Sequence, residues 1–315
     1  MKERLRELIL EAGFDDCGVA SLCPPIPTDN LHAWLKRGHH GSLDYMARHA
    51  AIRANPEELL TGAKAVVMVA LGYNQPSLDH VRIARYALGR DYHKVIRSRL
   101  KQVVRTLCAE NPELSPQEFR IVVDSAPFLE RSYAQRAGLG WPGKNTLLIH
   151  SRRGSWFFLA GLLTTLELEA DTPSQGGCGT CTKCIEACPT GAILQVDGSW
   201  QVDARKCISA LTIEHRGAWT DSQAGLSRDH LFGCDICQEV CPFNAPRLRQ
   251  PERAQTTRIA DFGAYPWPDL ESMAQLSESE WLRLTEGSAL RRLSYSDFQR
   301  NVQGCLDFLR RGQDA

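Results

Sequence analysis

Eight of the chain's twelve cysteines, Cys178, Cys181, Cys184, Cys188, Cys207, Cys234, Cys237 and Cys241, fall in one segment, while Cys17, Cys23, Cys108 and Cys305 are scattered. Thiols gathered so densely are joined either by disulfides or by metal, and the redox compartment decides between them. The N-terminal MKERLRELILEAG mixes acids with bases on an amphipathic pattern and offers no uninterrupted apolar core or cleavage site. No secretory signal is expected, and a cytoplasmic location follows. The longest apolar stretch, Trp156 to Leu163, falls far short of the roughly 20 residues that span a bilayer, so no membrane helix is expected either. In a reducing cytosol the clustered thiols point to metal.

Residues 178–189 read CGTCTKCIEACP, which is C-x-x-C-x-x-C-x-x-x-C-P, and residues 234–242 read CDICQEVCP, which is C-x-x-C-x-x-x-C-P. The first run has the spacing of bacterial two-cluster ferredoxins, in which three close thiolates hold one cubane and the fourth ligates the other cluster. The second run lacks its first cysteine, because Leu231 stands in its place; Cys207, with 26 residues between it and Cys234, is the available substitute. Crossing the ligands by this rule assigns Cys178, Cys181, Cys184 and Cys241 to one [4Fe-4S] cluster, and Cys207, Cys234, Cys237 and Cys188 to the other. Two structural zinc sites would not call for the repeated triplet with its C-P ending, and a disulfide knot does not suit the compartment. A pair of cubanes carries single electrons and is not by itself a catalyst. The four scattered cysteines read as small core residues, Cys305 lying on an apolar stripe with Phe298, Val302, Leu306 and Leu309.

At roughly 100–200 residues per domain, 315 residues predict two or three domains. Strand-like runs occur at 65–71, 121–123, 146–149 and 156–163, and helical patterns at 5–12, 93–107 and 128–137. Alternation of this kind predicts an α+β chain: an N-terminal mixed α/β domain over 1–170, a ferredoxin-like domain over 171–250 beginning near Gly176-Gly177, and a short, mostly helical extension over 251–315. After Cys241 the chain turns Pro- and Arg-rich, then acidic from Asp261 to Glu286, and ends in an amphipathic helix opening at Ser294 to Asp297.

The 37 Lys+Arg balance 37 Asp+Glu, which removes any whole-molecule argument for nucleic-acid binding. The balance is not local. Eight cations between Arg82 and Arg105 face one acid, Asp91, giving that segment +7 and the remainder −7. On a helix from about His93, residues Lys94, Arg97, Lys101 and Arg105 share one face, and Ile96, Leu100, Val103, Val104 and Leu107 form the other. Such a row is either a solvated helix face or a phosphate-tracking surface.

Asp124 closes the apolar run Ile121-Val122-Val123 and precedes Ser125-Ala126-Pro127. It is placed either for chemistry at a strand's carboxyl end or for capping a helix that starts at the proline. Downstream, RAGLGWPGKNTLLI sets three glycines and a proline around Lys144 and Asn145; it serves either close approach of a large planar ligand or a helix C-cap and turn. No GxGxxG follows a strand and there is no P-loop, so a nicotinamide or nucleotide fold is unsupported.

The order VVDSAPFLERSYAQRAGLGWPGKNTLLI, CGTCTKCIEACPTGAI, RKCISALTIEHRG, FGCDICQEVCPFN strongly resembles epoxyqueuosine reductase, as do IRANPEELLTGAKAVVMVA and IARYALGRDYHKVIR upstream. The match runs to about Asn244, and the displaced ligand Cys207 makes it more specific than a generic ferredoxin match. Many relatives continue into a helical-repeat region, where a single amphipathic helix is expected here. The resemblance implies a base-off cob(II)alamin between the N-terminal domain and the ferredoxin-like domain, fed with single electrons by the two clusters. It also implies a strongly reducing Co(I) acting on the epoxide of epoxyqueuosine at the tRNA wobble position, so that the oxygen leaves as water and queuosine remains. Asp124 matches the family's proton donor, a role that a carboxyl raised by partial desolvation would suit. Corrin contacts carried over are Arg53, Ala84, Arg85, Asp124 itself, Leu148, Leu159, Ser209 and Asp235. Lys94, Arg97, Lys101, His215 and Arg216 are the candidates for the tRNA anticodon stem-loop, whose wobble base is expected to flip into the corrin cleft. His93 reads as an ordinary helix-start residue rather than a cobalt ligand. An external electron donor is required, and a monomer is expected. Two other classes share parts of this pattern: corrinoid reductive dehalogenases, and non-catalytic ferredoxin-type electron carriers, for which a large domain carrying Asp124 would be unnecessary.

Overall fold

The segment AVVMVALG, strand Ala65–Gly72, is buried at all of its positions. An apolar run with no polar side must have both faces of its sheet covered. In the computed structural model, which describes residues 1–245 and 259–313, it lies inside a four-stranded antiparallel sheet. Asp16–Ser21 pairs on one edge of it and Phe157–Thr164 on the other, with Phe119–Val122 beyond. Alternate side chains then divide between two cores. Ala65, Val67, Val69 and Leu71 meet helices Lys2–Glu11 and Tyr92–Glu110 through Leu5, Ile9, Ile96, Leu100 and Leu107. Val66, Met68 and Ala70 meet helix Glu130–Arg136 through Tyr133 and Ala134, with Phe128 and Leu148. This is the expected α+β domain.

Helix Tyr92–Glu110 begins where Asp91 accepts the backbone N–H of His93 at 3.0 Å. Its buried stripe is the expected one extended by Tyr92 and Val95, and Lys94, Arg97, Lys101 and Arg105 are exposed. The helix expected from Phe128 starts only at Glu130, with Leu129 as an uncapped N-terminus, so neither Asp124 nor Ser125 serves as its cap. At the other end Gly138, at φ +84°, turns the chain out of this helix, as the C-cap alternative requires.

The C-terminal region differs most from expectation. Besides the long helix Tyr295–Gln313 there are helices Ile259–Phe262, Leu270–Ala274 and Glu278–Leu284 and a 3-10 turn Ala289–Arg292. They build a third core in which Trp267, Met273, Trp281, Leu290, Phe298, Val302, Cys305 and Leu306 close over Val81, Ile83 and Leu88 of the first domain and Leu231 and Phe232 of the cluster segment. Helices of four to seven residues carry too few apolar repeats to show a period. Leu309, expected on the buried stripe, is exposed, and Cys23 is exposed rather than in a core. The Pro- and Arg-rich stretch at 246–258 lies outside the described residues. Asn301, fully buried on the last helix, donates through Nδ2 to the carbonyls of Thr212 and Leu231 at 2.8 and 2.9 Å. Asn301→Ala leaves both acceptors dry, and we expect it to cost about 1–3 kcal/mol, read as a lowered denaturant midpoint. No helix among the described residues is long and apolar enough to cross a membrane.

Candidate active site

The two one-turn helices Lys183–Glu186 and Ile236–Glu239, which carry Cys184 and Cys237, pack together and place thiols from distant parts of the segment side by side. Cys178, Cys181, Cys184 and Cys241 line one cavity together with Lys144, Asn145, Ile149, Pro242 and Phe243. In the second group, burial and then the neighbouring thiols Cys207 and Cys188 push Cys234 up to about 12. Burial pushes Cys237 up as well, reinforced by Cys234 and Cys207. Cys207, at the N-terminus of helix Ile208–Ile213, is raised by burial against Cys188. Thiols raised in this way keep their protons at neutral pH, and binding a metal releases them.

A polar seam joins this segment to the first domain. Asp235, between two cluster cysteines, accepts the backbone N–H of Arg85 at 2.7 Å; burial first, against the pull of Arg85, takes its carboxyl up to about 6. The Arg85 side chain reaches Glu239 at 3.1 Å and Asn74 at 3.3 Å and lies over the Trp156 ring at 4.6 Å. Ala84 donates its N–H to Phe232 O, and a Cβ on Gly233 would stand 2.6 Å from its methyl, so this approach needs glycine, which sits at φ +74°. Arg53 is 8% exposed and donates from Nη1 to Phe128 O at 3.0 Å, which fixes the loop leading out of Asp124. Leu148 is buried in the second core, Leu159 packs at its edge opposite Ala70, and Ser209 is half-buried on helix Ile208–Ile213.

Asp124 follows strand Phe119–Val122 in the left-handed region at φ 42°. That conformation is uncommon for a residue with a side chain and marks a loop held in shape for a reason. Glu130 Oε1 accepts the Asp124 backbone N–H at 2.6 Å, and Arg97 of the basic helix donates to Ser125 Oγ at 3.0 Å. The Asp124 carboxylate takes two further bonds at one oxygen: the Tyr92 hydroxyl donates to Oδ2 at 2.9 Å and His93 Nε2 stands 3.2 Å away. His93 Nδ1 lies 2.8 Å from Asp91 Oδ1.

Here the charge states reverse the expectation that Asp124 would be raised. The packed loop disfavours its ionisation, but the side chain is 61% open to solvent, and the bonds from His93 and Tyr92 hold the carboxyl below its ordinary range. Desolvation of His93 is outweighed by its bonds to Asp124 and Asp91, which take it up to about 9. The raised carboxyl is Glu130, pushed up to about 8 by desolvation and then by the charge of Asp124. Arg292, from the 3-10 turn, pairs with Glu214 at 2.6 Å, stacks over Tyr45 at 6.0 Å and adds its positive field at Asp124.

Lys94, Arg97 and Lys101 are exposed along the helix that supplies Tyr92 and His93, so the cationic row starts at the Asp124 loop. His215 is tied within its own loop, Nε2 meeting Ala218 O at 3.2 Å, while Arg216 donates to Ile213 O and, across to the 3-10 turn, to Arg292 O at 2.9 Å, and pairs with Asp297 at 3.6 Å. They still border the site, through Arg292.

Comparison with known proteins bears on this arrangement. Residues 177–244 match the family described as 4Fe-4S double cluster binding domain, and residues 53–125 match Epoxyqueuosine reductase QueG, DUF1730. An epoxyqueuosine reductase of Xanthomonas campestris pv. campestris is 41% identical over 312 residues, 95% of this chain and 84% of that protein. The chain belongs to the epoxyqueuosine reductase family. The crystal structure of a selenomethionine-labelled epoxyqueuosine reductase, 29% identical, superposes with a TM-score of 0.82 over 99% of this chain and 82% of that one. A second epoxyqueuosine reductase, solved with an epoxyqueuosine-modified tRNA-Tyr stem loop, is 30% identical, with a TM-score of 0.76 over 98% and 81%. The cysteine segment of this family member is thus a double [4Fe-4S] domain.

Sequence reasoning missed Tyr92, Glu130, Tyr45 and Arg292; His93 does stand in the first turn of its helix, as expected, but its bonds to Asp91 and Asp124 were not foreseen. The Asp-Tyr-His triplet at the start of the basic helix was the available signal for His93. Nothing local marks Arg292, which arrives from the far end of the chain.

Proposed function

We propose that this chain reduces the epoxide of epoxyqueuosine at the tRNA wobble position to queuosine, with a cobalamin held between the first domain and the double-cluster domain and Asp124 delivering protons. The observation that carries the chemistry is the Asp124 loop, a carboxylate presented in a strained turn, 61% open, beside proton-bearing groups. An epoxide oxygen is a poor leaving group unless protonated, and a positioned acid supplies that proton.

The residues present fit a corrin. Arg53 Nε and Arg85 Nε are buried and have no hydrogen-bond partner among the described residues, and the amide-rich corrin edge offers the carbonyl acceptors that two such donors need. In this reading Arg53, Ala84, Arg85, Leu148, Leu159, Ser209 and Asp235 hold the macrocycle, and cobalamin, when bound, supplies electrons at low potential. Cys178, Cys181, Cys184 and Cys241 hold one cluster and Cys188, Cys207, Cys234 and Cys237 the other, a division supported by the shared cavity and by the mutual influence of the half-buried thiols of the second group. An external donor reduces the clusters, and a monomeric, cytoplasmic enzyme suffices for the reaction.

The anticodon stem-loop lies along Lys94, Arg97 and Lys101, with His215 and Arg216 as further contacts. Replacing those three cations by Ala is expected to weaken tRNA binding and to flatten the slope of log K against log salt by about two to three, measured by filter binding over a salt series. An unchanged slope returns the helix to a solvated face. The activity is tested by anaerobic incubation of cluster- and cobalamin-loaded enzyme with epoxyqueuosine-containing tRNA and a strong reductant, followed by mass spectrometry of the nucleosides. Queuosine is the expected product, and epoxyqueuosine left unchanged by fully loaded enzyme overturns the proposal.

A further inference from the structure

Converting an epoxide to an alkene takes up two electrons and two protons and releases one water. A single carboxylic acid delivers one proton per ionisation, and the Asp124 carboxyl is held ionised. The site therefore needs a store of protons beside Asp124.

His93 has the geometry of such a store. Its ring is clamped between two carboxylates, Nδ1 on Asp91 Oδ1 at 2.8 Å and Nε2 on Asp124 Oδ2 at 3.2 Å, and stacks on Tyr92 with centroids 4.0 Å apart. An imidazole facing an acceptor at each nitrogen satisfies both only as the cation, with two N–H donors. The clamp is fixed from behind, since Asp91 caps the helix by accepting the His93 backbone N–H and donates its own N–H to Gly287 O at 2.6 Å. The His93 side chain is 26% exposed, which leaves a way for water to reload it.

We propose that His93 is the proton reservoir of the site, a positioning residue that acts through Asp124 along the line Asp91–His93–Asp124. This rests on the proposed epoxide reduction. In the first half-reaction the Nε2 proton passes to Asp124 Oδ2 and the Asp124 carboxyl protonates the epoxide oxygen as its first C–O bond breaks, giving a hydroxyl. His93 is then reloaded from solvent. In the second half-reaction a second proton follows the same line, the remaining C–O bond breaks, the oxygen leaves as water and the alkene π bond forms. Two electrons from the low-potential donor balance the two protons. Transfer from His93 to Asp124 runs uphill at rest; it becomes downhill when the opening epoxide presents an alkoxide, a far stronger base than imidazole.

The surrounding charges suit this role. On the helix side are Asp91, Tyr92, Lys94 and Arg97; from helix Glu130–Arg136 come Glu130 and Arg131; Arg53, Tyr45 and the Arg292–Glu214 pair complete the shell. Glu130 is not a rival on the same line, because it bonds the Asp124 backbone and not its carboxylate.

The test reads His93 directly. Deuterium exchange at the imidazole C2, resolved peptide by peptide by mass spectrometry on the loaded enzyme, is expected to titrate with a midpoint near about 9 and to fall towards about 6.5, the ordinary histidine value, in Asp91→Asn. The rate of queuosine formation should drop above the same pH in wild type. His93→Gln should lower it by roughly 10- to 100-fold and lose that alkaline limb. Asp91→Asn, which keeps the ring in place, should shift the limb to lower pH. A wild-type midpoint below neutrality, or a His93→Gln enzyme with wild-type rate and pH profile, overturns the inference. Failure of wild type to make queuosine strikes the proposed function instead, and the exchange midpoint still reports on the clamp.

Discussion

Cys241→Ala is expected to damage the same iron-sulfur cluster as Cys181→Ala, and Cys188→Ala the same one as Cys234→Ala. Iron in anaerobically purified protein should fall from about eight towards about four atoms per chain in each variant. The electron paramagnetic resonance of the reduced protein should show one surviving signal, shared within each pair of variants and different between the pairs. The expectation follows from the way the chain folds back on itself. The turn Ile236–Glu239 lies against Lys183–Glu186 and delivers Cys241 to the cavity of the first triplet, while Cys188 leaves that triplet for the half-buried thiols Cys207 and Cys234. Turnover should be lost in all four, because a wire with one cluster missing no longer carries electrons through. If Cys241→Ala and Cys181→Ala abolish different signals, the crossed assignment is wrong.

Legibility in the sequence followed the range of the signal. The cysteine runs and the all-apolar strand at 65–72 are local patterns, and each was readable because one short stretch of chain contains the whole of it. The basic face was equally plain from spacing along a single helix. The third core was not, because Phe232, Ile83 and Phe298 come from three distant segments, and the short helices around them owe their stability to that core rather than to any period of their own. The same holds for charge. Asp124 could be picked out at a strand end, but the sequence invited the view that burial raises it. Three-dimensional placement decided the sign, since Tyr92 and His93 reach it from a helix thirty residues upstream and the raised carboxyl is Glu130. Hydrogen-bond partners separated by a strand and a helix leave no spacing rule to read.

Asp124→Asn should keep clusters, cobalamin and tRNA binding and lower queuosine formation by about 10²- to 10⁴-fold, the usual contribution of a positioned acid. Asparagine has nearly the same shape and tolerates the left-handed backbone at φ 42°, so the loop should hold its place. What it lacks is a titrating oxygen between His93 and the substrate. The variant should also lose a pH-dependent part of its stability, and the sign follows from the two shifted groups. His93, raised from 6.5 to about 9, contributes stability that is fully present below about 6.5 and is lost as pH rises through about 9. Asp124, lowered from 3.8, contributes stability that is present above about 4 and is lost as pH falls below its depressed value. The difference in thermal midpoint between wild type and Asp124→Asn should therefore be largest between about pH 4 and 6.5, decline towards pH 9 and vanish in strong acid. Wild-type turnover in this variant would remove Asp124 as the acid, and a pH-independent difference in midpoint would break its link to His93.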